Sequence, residues 1–255
     1  VTSTMVGIAI NQGHIKDVNQ PIVSFFPEKK PLKNPSNEKD DITIKDLLTI
    51  SSLLECNDND SFSRGNEARM YIYHDWVEFI LDLPLKGFAP WQKKPENSKF
   101  KRSFSYCTAG SFLLGAIVEK STGKGMDHLA AEFLDQPLGI STVKWNYSPK
   151  GIASGAGGTR YRSRDFLKFG ELFRNEGMWQ GKRLIDQQWV QEATKSHVDV
   201  DENIEYGYQW WRYRFPIGND WHWSYAASGN GGNYLFVLPE LELVTLITAE
   251  AYSTS

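Results

Sequence analysis

Cysteine is almost missing from this chain: 255 residues hold only Cys56 and Cys107, and no C-x-x-C pair occurs. That excludes a disulfide-stapled mini-domain and a thiolate metal centre, and leaves open one bridge in an exported protein or two buried thiols in a cytosolic one. Long apolar runs are missing too. None approaches the roughly 18–20 residues that span a bilayer, so no membrane span is expected. Charge of one sign is not in excess: 28 Lys and Arg against 31 Asp and Glu give a net charge of −3, which offers no electrostatic case for nucleic acid or an anionic membrane as partner. No G-x-S-x-G elbow, H-E-x-x-H pair or G-x-x-x-x-G-K-[ST] loop is present, which argues against α/β-hydrolases, zincins and P-loop enzymes. The five histidines, His14, His74, His128, His197 and His222, are scattered and read as surface or structural residues. No metal or cofactor is called for.

What is present is core-forming material: 40% hydrophobic and 13% aromatic residues, enough for one large domain or two lobes. Val1–Gly13 reads as the later part of a buried helix, apolar nearly all round with small polar residues, stopped at Gly13. Asn19–Phe26 is a short helix closed by Pro27, Thr43-Ile-Lys-Asp46 opens a helix over Ile44–Ser51 with a capping box, and Glu67–Leu83 reads as one longer helix. Pro90–Arg102 is a loop, and Phe104–Tyr106 is a short extended run ahead of an apolar helix ending at Gly123. A helix from Met126 follows, then a change of texture from Pro137. Val143–Tyr147 is strand-like, Gly151–Gly158 reads as a glycine-rich crossover, and Ser163–Asn175 is an amphipathic helix with Phe166, Phe169 and Phe173 on one face. Asp186 caps a helix carrying Trp189, Val190 and Ala193; Tyr206–Arg214, Trp221–Ala226, Tyr234–Leu238 and Leu243–Thr248 are strands. A helical first half and a mixed second half with an antiparallel sheet give an α+β protein, expected as residues 1–13, a mainly helical lobe over 14–136 and an α/β lobe over 137–255.

Tyr106, between an extended run and an apolar helix, is placed to show its phenol at a cleft, where beside a cation it can act as a general base. The nucleophile is harder to find. S-x-x-K occurs at Ser36–Lys39, Ser98–Lys101, Ser121–Lys124 and Ser141–Lys144. Its chemistry needs the first turn of a buried helix, and none of the four has that setting in the sequence: two lie in charged loops, one ends a helix and one opens a strand.

Several stretches, in order, resemble the β-lactamase-related serine hydrolases, the group of class C β-lactamases, D-alanyl-D-alanine carboxypeptidases, related esterases and 6-aminohexanoate-dimer hydrolases. Val1–Gly13 resembles the helix that follows that family's S-x-x-K, and Ile42–Leu54 resembles its I-T-I-K-D-L-L-T-M-S-S-G-L stretch. Tyr106-Cys107-Thr108 stands where the family has Y-x-N, and Gly157–Phe166 resembles G-G-L-x-x-T-A-R-D-L. Ala227-Ser228-Gly229-Asn230-Gly231-Gly232 stands at the third motif, K-T-G or H-x-G. The resemblance covers essentially the whole chain.

It implies a β-lactamase/transpeptidase-like fold, an antiparallel sheet flanked by helices with a mostly helical lobe. It also implies acyl transfer by a Ser–Lys–Tyr site, with Tyr106 catalytic and Thr108, Ala227, Ser228, Gly229 and Asn230 binding substrate. On this reading the serine, the lysine and the first strands lie upstream of Val1, a closing helix follows Ser255, and the fragment alone is inactive. Thr108 in place of Asn and Ala227 in place of Lys or His turn the expectation from β-lactams towards small esters or amides. Arg160 and Arg162 are candidates for the missing cation, and Trp210, Trp211, Trp221, Trp223 and Tyr225 for an acyl pocket or core. The alternatives are a D-Ala-D-Ala carboxypeptidase or β-lactamase on the same fold, or a non-catalytic binding homologue. The partner is a small-molecule ester, amide or peptide, the oligomeric state is open, and a periplasmic or extracellular location is favoured over the cytoplasm. The resemblance also brings Cys56 and Cys107 towards one region, with a disulfide between them as the expectation.

Overall fold

The computed structural model describes residues 1–87 and 104–252. The expected loop over Pro90–Arg102 lies outside these residues. Contacts divide the chain into two units, one of residues 1–127 with 146–158 and one of residues 128–145 with 159–255.

The first unit is helical. Its elements are α1 (Thr2–Asn11), α2 (Asn37–Asp40), α3 (Ile44–Leu48), α4 (Glu67–Met70), α5 (Trp76–Leu81) and α6 (Thr108–Thr122). At the centre is α6, whose Phe112, Leu113, Leu114, Ile117 and Val118 have no exposed surface. Each such side chain contributes about 1.5–3 kcal/mol through burial, which outweighs the modest helix propensity of the β-branched members. Around it pack α1, α3 and α5. The capping box at the head of α3 forms as the sequence predicts: Thr43 Oγ1 accepts from the Asp46 N–H at 3.3 Å and Asp46 Oδ2 accepts from the Thr43 N–H at 2.8 Å. Gly123 ends α6 in the left-handed conformation, φ 71°.

Two expectations are corrected here. Glu67–Leu83 is not one helix but α4 and α5, separated by turns over residues 71–75. Asp75 makes the break. Its backbone is extended, its Oδ1 accepts from the Glu78 N–H at 3.0 Å to start α5, and its Oδ2 holds both Lys29 and Lys150. Burial alone would raise this carboxyl, but the hydrogen bonds from Lys150 and Lys29 outweigh it and hold Asp75 well below the usual carboxylate range. The glycine-rich run is also more than a crossover. Gly155 packs between α1 and α6: its carbonyl accepts from Thr2 Oγ1 at 2.7 Å, and a Cβ there would stand 2.9 Å from the Ser111 carbonyl. The facing Gly115 would bring a Cβ within 3.2 Å of the Gly155 nitrogen, so both positions must lack side chains for the backbones to meet.

A single covalent bridge ties this unit together: Cys56 and Cys107 form a disulfide, with Cα atoms 5.4 Å apart.

The chain passes to the second unit within α7 (Met126–Ala130), which continues as a π turn over Ala131–Asp135. The unit contains α8 (Ser163–Arg174), the ribbon β1 (Met178–Trp179) with β2 (Lys182–Arg183), α9 (Gln187–Thr194), and a six-stranded antiparallel meander. The strands run in chain order: β3 (Val198–Asp201), β4 (Ile204–Tyr206), β5 (Trp211–Ile217), β6 (Asp220–Gly229), β7 (Asn233–Leu238) and β8 (Leu243–Ile247). Helix α8 lies on β7 and β8, with Gly170 against Val244 and Leu235. Its Phe169 and Phe173 meet Trp210 at ring separations of 5.9 and 4.6 Å, and Trp210 meets Tyr225 at 5.3 Å. Thus Trp210 and Tyr225 are core residues of this unit. Asp186 caps α9 as expected, accepting from the Gln188 and Trp189 N–H groups. The expected strand over Val143–Tyr147 is reduced to two isolated bridges, Lys144 to Arg160 and Tyr147 to Ala153.

A Cβ at residue 170 would lie 2.6 Å from Val244 Cγ1 and 2.9 Å from Leu235 Cδ1. Gly170→Ala is therefore expected to destabilise by about 1–3 kcal/mol through overpacking, measured by denaturant unfolding; an unchanged midpoint refutes the close packing of α8 on the sheet. The disulfide closes a loop across a sequence separation of 51, for which chain entropy implies about 4 kcal/mol of stabilisation. Thiol counting in denaturant should give no thiol before reduction and two after, with a lower melting temperature for Cys56→Ala; two thiols before reduction would contradict the bridge.

Asp135, 3% exposed, is raised to about 6 by burial, against the opposing hydrogen bond from Tyr161 Oη at 3.2 Å. A carboxyl raised above its unfolded value contributes stability that is complete below about pH 4 and is lost as pH rises through 6. Asp135→Asn should therefore gain on the parent protein between pH 4.5 and 7.5, by about 2–3 kcal/mol at 1.36 kcal/mol per pH unit. Parallel stability–pH curves for the two proteins would contradict this.

Candidate active site

Thr108-Ala-Gly-Ser-Phe-Leu-Leu-Gly starts α6 because small residues lead into an apolar run, and Cys107 precedes it in an extended conformation, φ −142° and ψ 97°. Tyr106 is therefore the second residue before the helix, on a strip of chain that hydrogen bonds hold along its length. The Ser105 N–H donates to the Ile50 carbonyl at 3.0 Å and Ser105 Oγ to the Cys56 carbonyl at 2.7 Å. The Asp58 N–H donates to the Tyr106 carbonyl at 2.9 Å, and Asp58 Oδ2 accepts from the Thr108 N–H at 2.6 Å. The Cys56–Cys107 bond closes the same strip covalently.

Burial pushes the Tyr106 phenol above its ordinary value, and the negative charges of Asp58 and then Glu67 add to the effect. Tyr106 in these surroundings is a neutral phenol, able to donate and to accept. A cation beside it would favour its phenolate.

The residues expected to bind substrate fall into both units. Thr108 is the first residue of α6, its backbone N–H held by Asp58. Ala227, Ser228, Gly229 and Asn230 are at the end of β6 and in the turn to β7. Strand β6 is longer than its neighbour: its pairing with β5 ends at Ala226–Trp211, whereas its pairing with β7 continues through Gly229–Asn233. Among the described residues Ala227, Ser228 and Gly229 thus pair on one side only, giving a strand edge whose backbone can bind an extended ligand or an oxyanion. The turn is held by Asn230 Oδ1, accepting from the Gly231 N–H at 2.8 Å, and by the Asn230 carbonyl, accepting from Asn233 Nδ2 at 2.9 Å.

The other candidates are distributed as follows. Arg160 and Arg162 are exposed, Arg160 pairing its backbone with Lys144. Trp211 packs edge-on to Tyr206, while Trp223 and Trp221 lie beneath the guanidinium groups of Arg212 and Arg214 at 5.0 and 5.2 Å. Ser36–Lys39 is not in a plain loop: Ser36 caps α2 and Lys39 is buried, its ammonium shifted down by desolvation. It is still no nucleophile pair, since Ser36 Oγ accepts from the Lys39 backbone and Lys39 Nζ donates to the Lys33 carbonyl at 2.7 Å. Ser121 Oγ donates to the Val118 carbonyl at 3.1 Å, and Ser98–Lys101 lies outside the described residues. A separate cavity of about 410 Å³ in the helical unit is walled by Phe26, Lys29, Asp75, Lys120 and Lys150 and includes neither Tyr106 nor Thr108. Among the described residues no cluster of metal-binding side chains occurs, and no helix is long and apolar enough to cross a membrane.

Sequence reasoning missed Asp58. It stands in Asn57-Asp58-Asn59-Asp60, a run that reads only as a polar turn, and nothing in its spacing points to a segment fifty residues away.

The profile of the Beta-lactamase family matches residues 1–253. No curated protein sequence matches the chain. Among solved structures, a Bacillus anthracis protein assigned as a 6-aminohexanoate-dimer hydrolase aligns with TM-score 0.74 at 18% identity, over 100% of this chain and 66% of its own. A class C β-lactamase from Rhodobacter sphaeroides aligns with TM-score 0.64 at 15% identity, over 99% of this chain and 78% of its own. A family VIII carboxylesterase aligns with TM-score 0.66 at 17% identity, over 100% of this chain and 76% of its own. At these identities the structures speak for the fold, a β-lactamase/transpeptidase-like α+β architecture, and the chain spans about two thirds of the Bacillus anthracis structure. On the profile match across nearly its whole length, this chain belongs to the Beta-lactamase family.

Proposed function

We propose that the protein is a serine hydrolase that acts through an acyl-enzyme on small esters or amides, with Tyr106 as its proton-handling residue and with serine and lysine supplied from ahead of Val1. The observation that carries this reading is the fixing of the chain around Tyr106 immediately before the buried helix α6: Ser105 is held ahead of it, its own carbonyl is held by the Asp58 N–H, and Cys107 beyond it is tied by the disulfide and flanked by the Asp58 hydrogen bonds.

The chemistry is a double displacement. The serine Oγ attacks the carbonyl carbon and gives its proton to the lysine–tyrosine pair; the leaving alcohol or amine departs with a proton from that pair. Water then attacks the acyl-enzyme, releasing the acid and restoring the serine. The lysine ammonium is the cation that offsets burial, Asp58 and Glu67 at the Tyr106 phenol. The oxyanion needs two backbone N–H donors, a role that the Ser228–Asn230 end of β6 is suited to fill beside the serine N–H.

Thr108 and Ala227 favour esters and amides over β-lactams. A threonine hydroxyl donates and accepts through one atom on a shorter arm, without the separate C=O and NH₂ of a carboxamide, and an alanine side chain offers a substrate carboxylate neither charge nor hydrogen bond. The Cys56–Cys107 bond suits an oxidising, exported location.

The full-length protein should label with a fluorophosphonate, seen by mass spectrometry, and turn over nitrophenyl esters. Tyr106→Phe should lower kcat by roughly 10²–10⁴-fold. A penicillin adduct without ester turnover would replace the ester reading by the carboxypeptidase or β-lactamase one. Neither adduct nor turnover would leave a binding homologue.

A further inference from the structure

Asp58 is half-buried in a turn of an irregular loop, and all of its polar groups are engaged. Its N–H donates to the Tyr106 carbonyl at 2.9 Å, Oδ2 accepts from the Thr108 N–H at 2.6 Å, and Oδ1 accepts from the Glu67 N–H at 2.9 Å. Its carbonyl accepts from Asn66 Nδ2 at 3.2 Å. The loop does not need this carboxylate for its own turns. Asn57 Oδ1 accepts from the Asn59 N–H at 3.0 Å and Asp60 Oδ1 from the Phe62 N–H at 2.9 Å, so the neighbouring side chains form the local turns. Asp58 faces outward from that loop and grips the peptide groups on both sides of Cys107 while its other oxygen anchors to the start of α4.

We propose that Asp58 is a positioning residue for Tyr106, fixing the direction in which the phenol leaves the main chain by holding the Tyr106 carbonyl and the Thr108 amide against the start of α4. This rests on the catalytic reading of Tyr106. The disulfide limits how far the two segments can part, but a single sulfur bridge at residue 107 leaves rotation about the Tyr106 and Cys107 dihedrals. The two Asp58 hydrogen bonds, one on each side of Cys107, orient both of these peptide groups, and so the Tyr106 carbonyl that follows from its ψ angle. Aspartate is required rather than asparagine because both carboxylate oxygens accept from backbone N–H groups, and a carboxamide has only one acceptor. Its charge faces the phenol together with that of Glu67.

The test compares Asp58→Asn, Asp58→Ala and Tyr106→Phe in the full-length enzyme, measuring kcat, KM and melting temperature on a nitrophenyl ester. It also follows the ultraviolet titration of the phenol, taken as the step absent from Tyr106→Phe. Asp58→Asn, which keeps the shape, should lower kcat roughly 10- to 100-fold with KM changed less than about threefold, as expected for a displaced proton-transfer group. Its Tyr106 titration step should move to lower pH, and Asp58→Ala should do the same with a lower melting temperature. The proposal is overturned if Asp58→Asn keeps wild-type kcat, or if its activity falls only in proportion to the folded fraction while the titration step stays in place. Wild-type turnover by Tyr106→Phe would instead remove the proposed base itself, and Asp58's role with it, so the two failures are told apart.

Discussion

The all-round burial of α6 is the constraint on which the helical unit depends. A helix buried over Ala109, Gly110 and Phe112–Val118 cannot leave its first N–H groups to solvent, so they must find partners in the protein. Cys107 Sγ accepts from Gly110 at 3.3 Å and Asp58 accepts from Thr108, and those same interactions immobilise the residues just ahead of the helix. Tyr106 is one of them. The precision of the candidate site is thus a consequence of satisfying a buried helix terminus.

The sheet unit solves a different problem with the same economy. Its meander pairs each strand with its sequence neighbour, and α8 covers β7 and β8 with a phenylalanine face completed by Trp210 and Tyr225. Because β5 starts only at Trp211, after a turn at Gln209 with φ 60°, β6 runs on past Ala226 paired with β7 but not with β5. A bare strand edge follows from the difference in strand lengths.

How legible these features were depended on the range of the forces that make them. Thr43 and Asp46 are three residues apart, Asp186 caps a helix it adjoins, and Gly123 and the Phe169–Phe173 stripe act within one or two turns; each is as the sequence indicates. The unbroken helix over Glu67–Leu83 was wrong because Asp75 is drawn out of it by Lys29 and Lys150, residues distant in sequence. The packing role of Gly155 needed Thr2 and Ser111, and Asp58 needed a partner on another segment.

By itself, then, the sequence determined the α+β class, most helix boundaries, the last antiparallel strands from Trp221 onward and the family, because these rest on periodicity, caps and short motifs in fixed order; the expected single strand over Tyr206–Arg214 is instead the end of β4, a turn and the start of β5. Only the tertiary structure decided that Cys56 and Cys107 are bonded, that β6 outruns β5, and that Asp58 holds the chain around Tyr106. Each of those depends on where distant segments meet once the apolar faces are buried. Local pattern carries no record of such meetings.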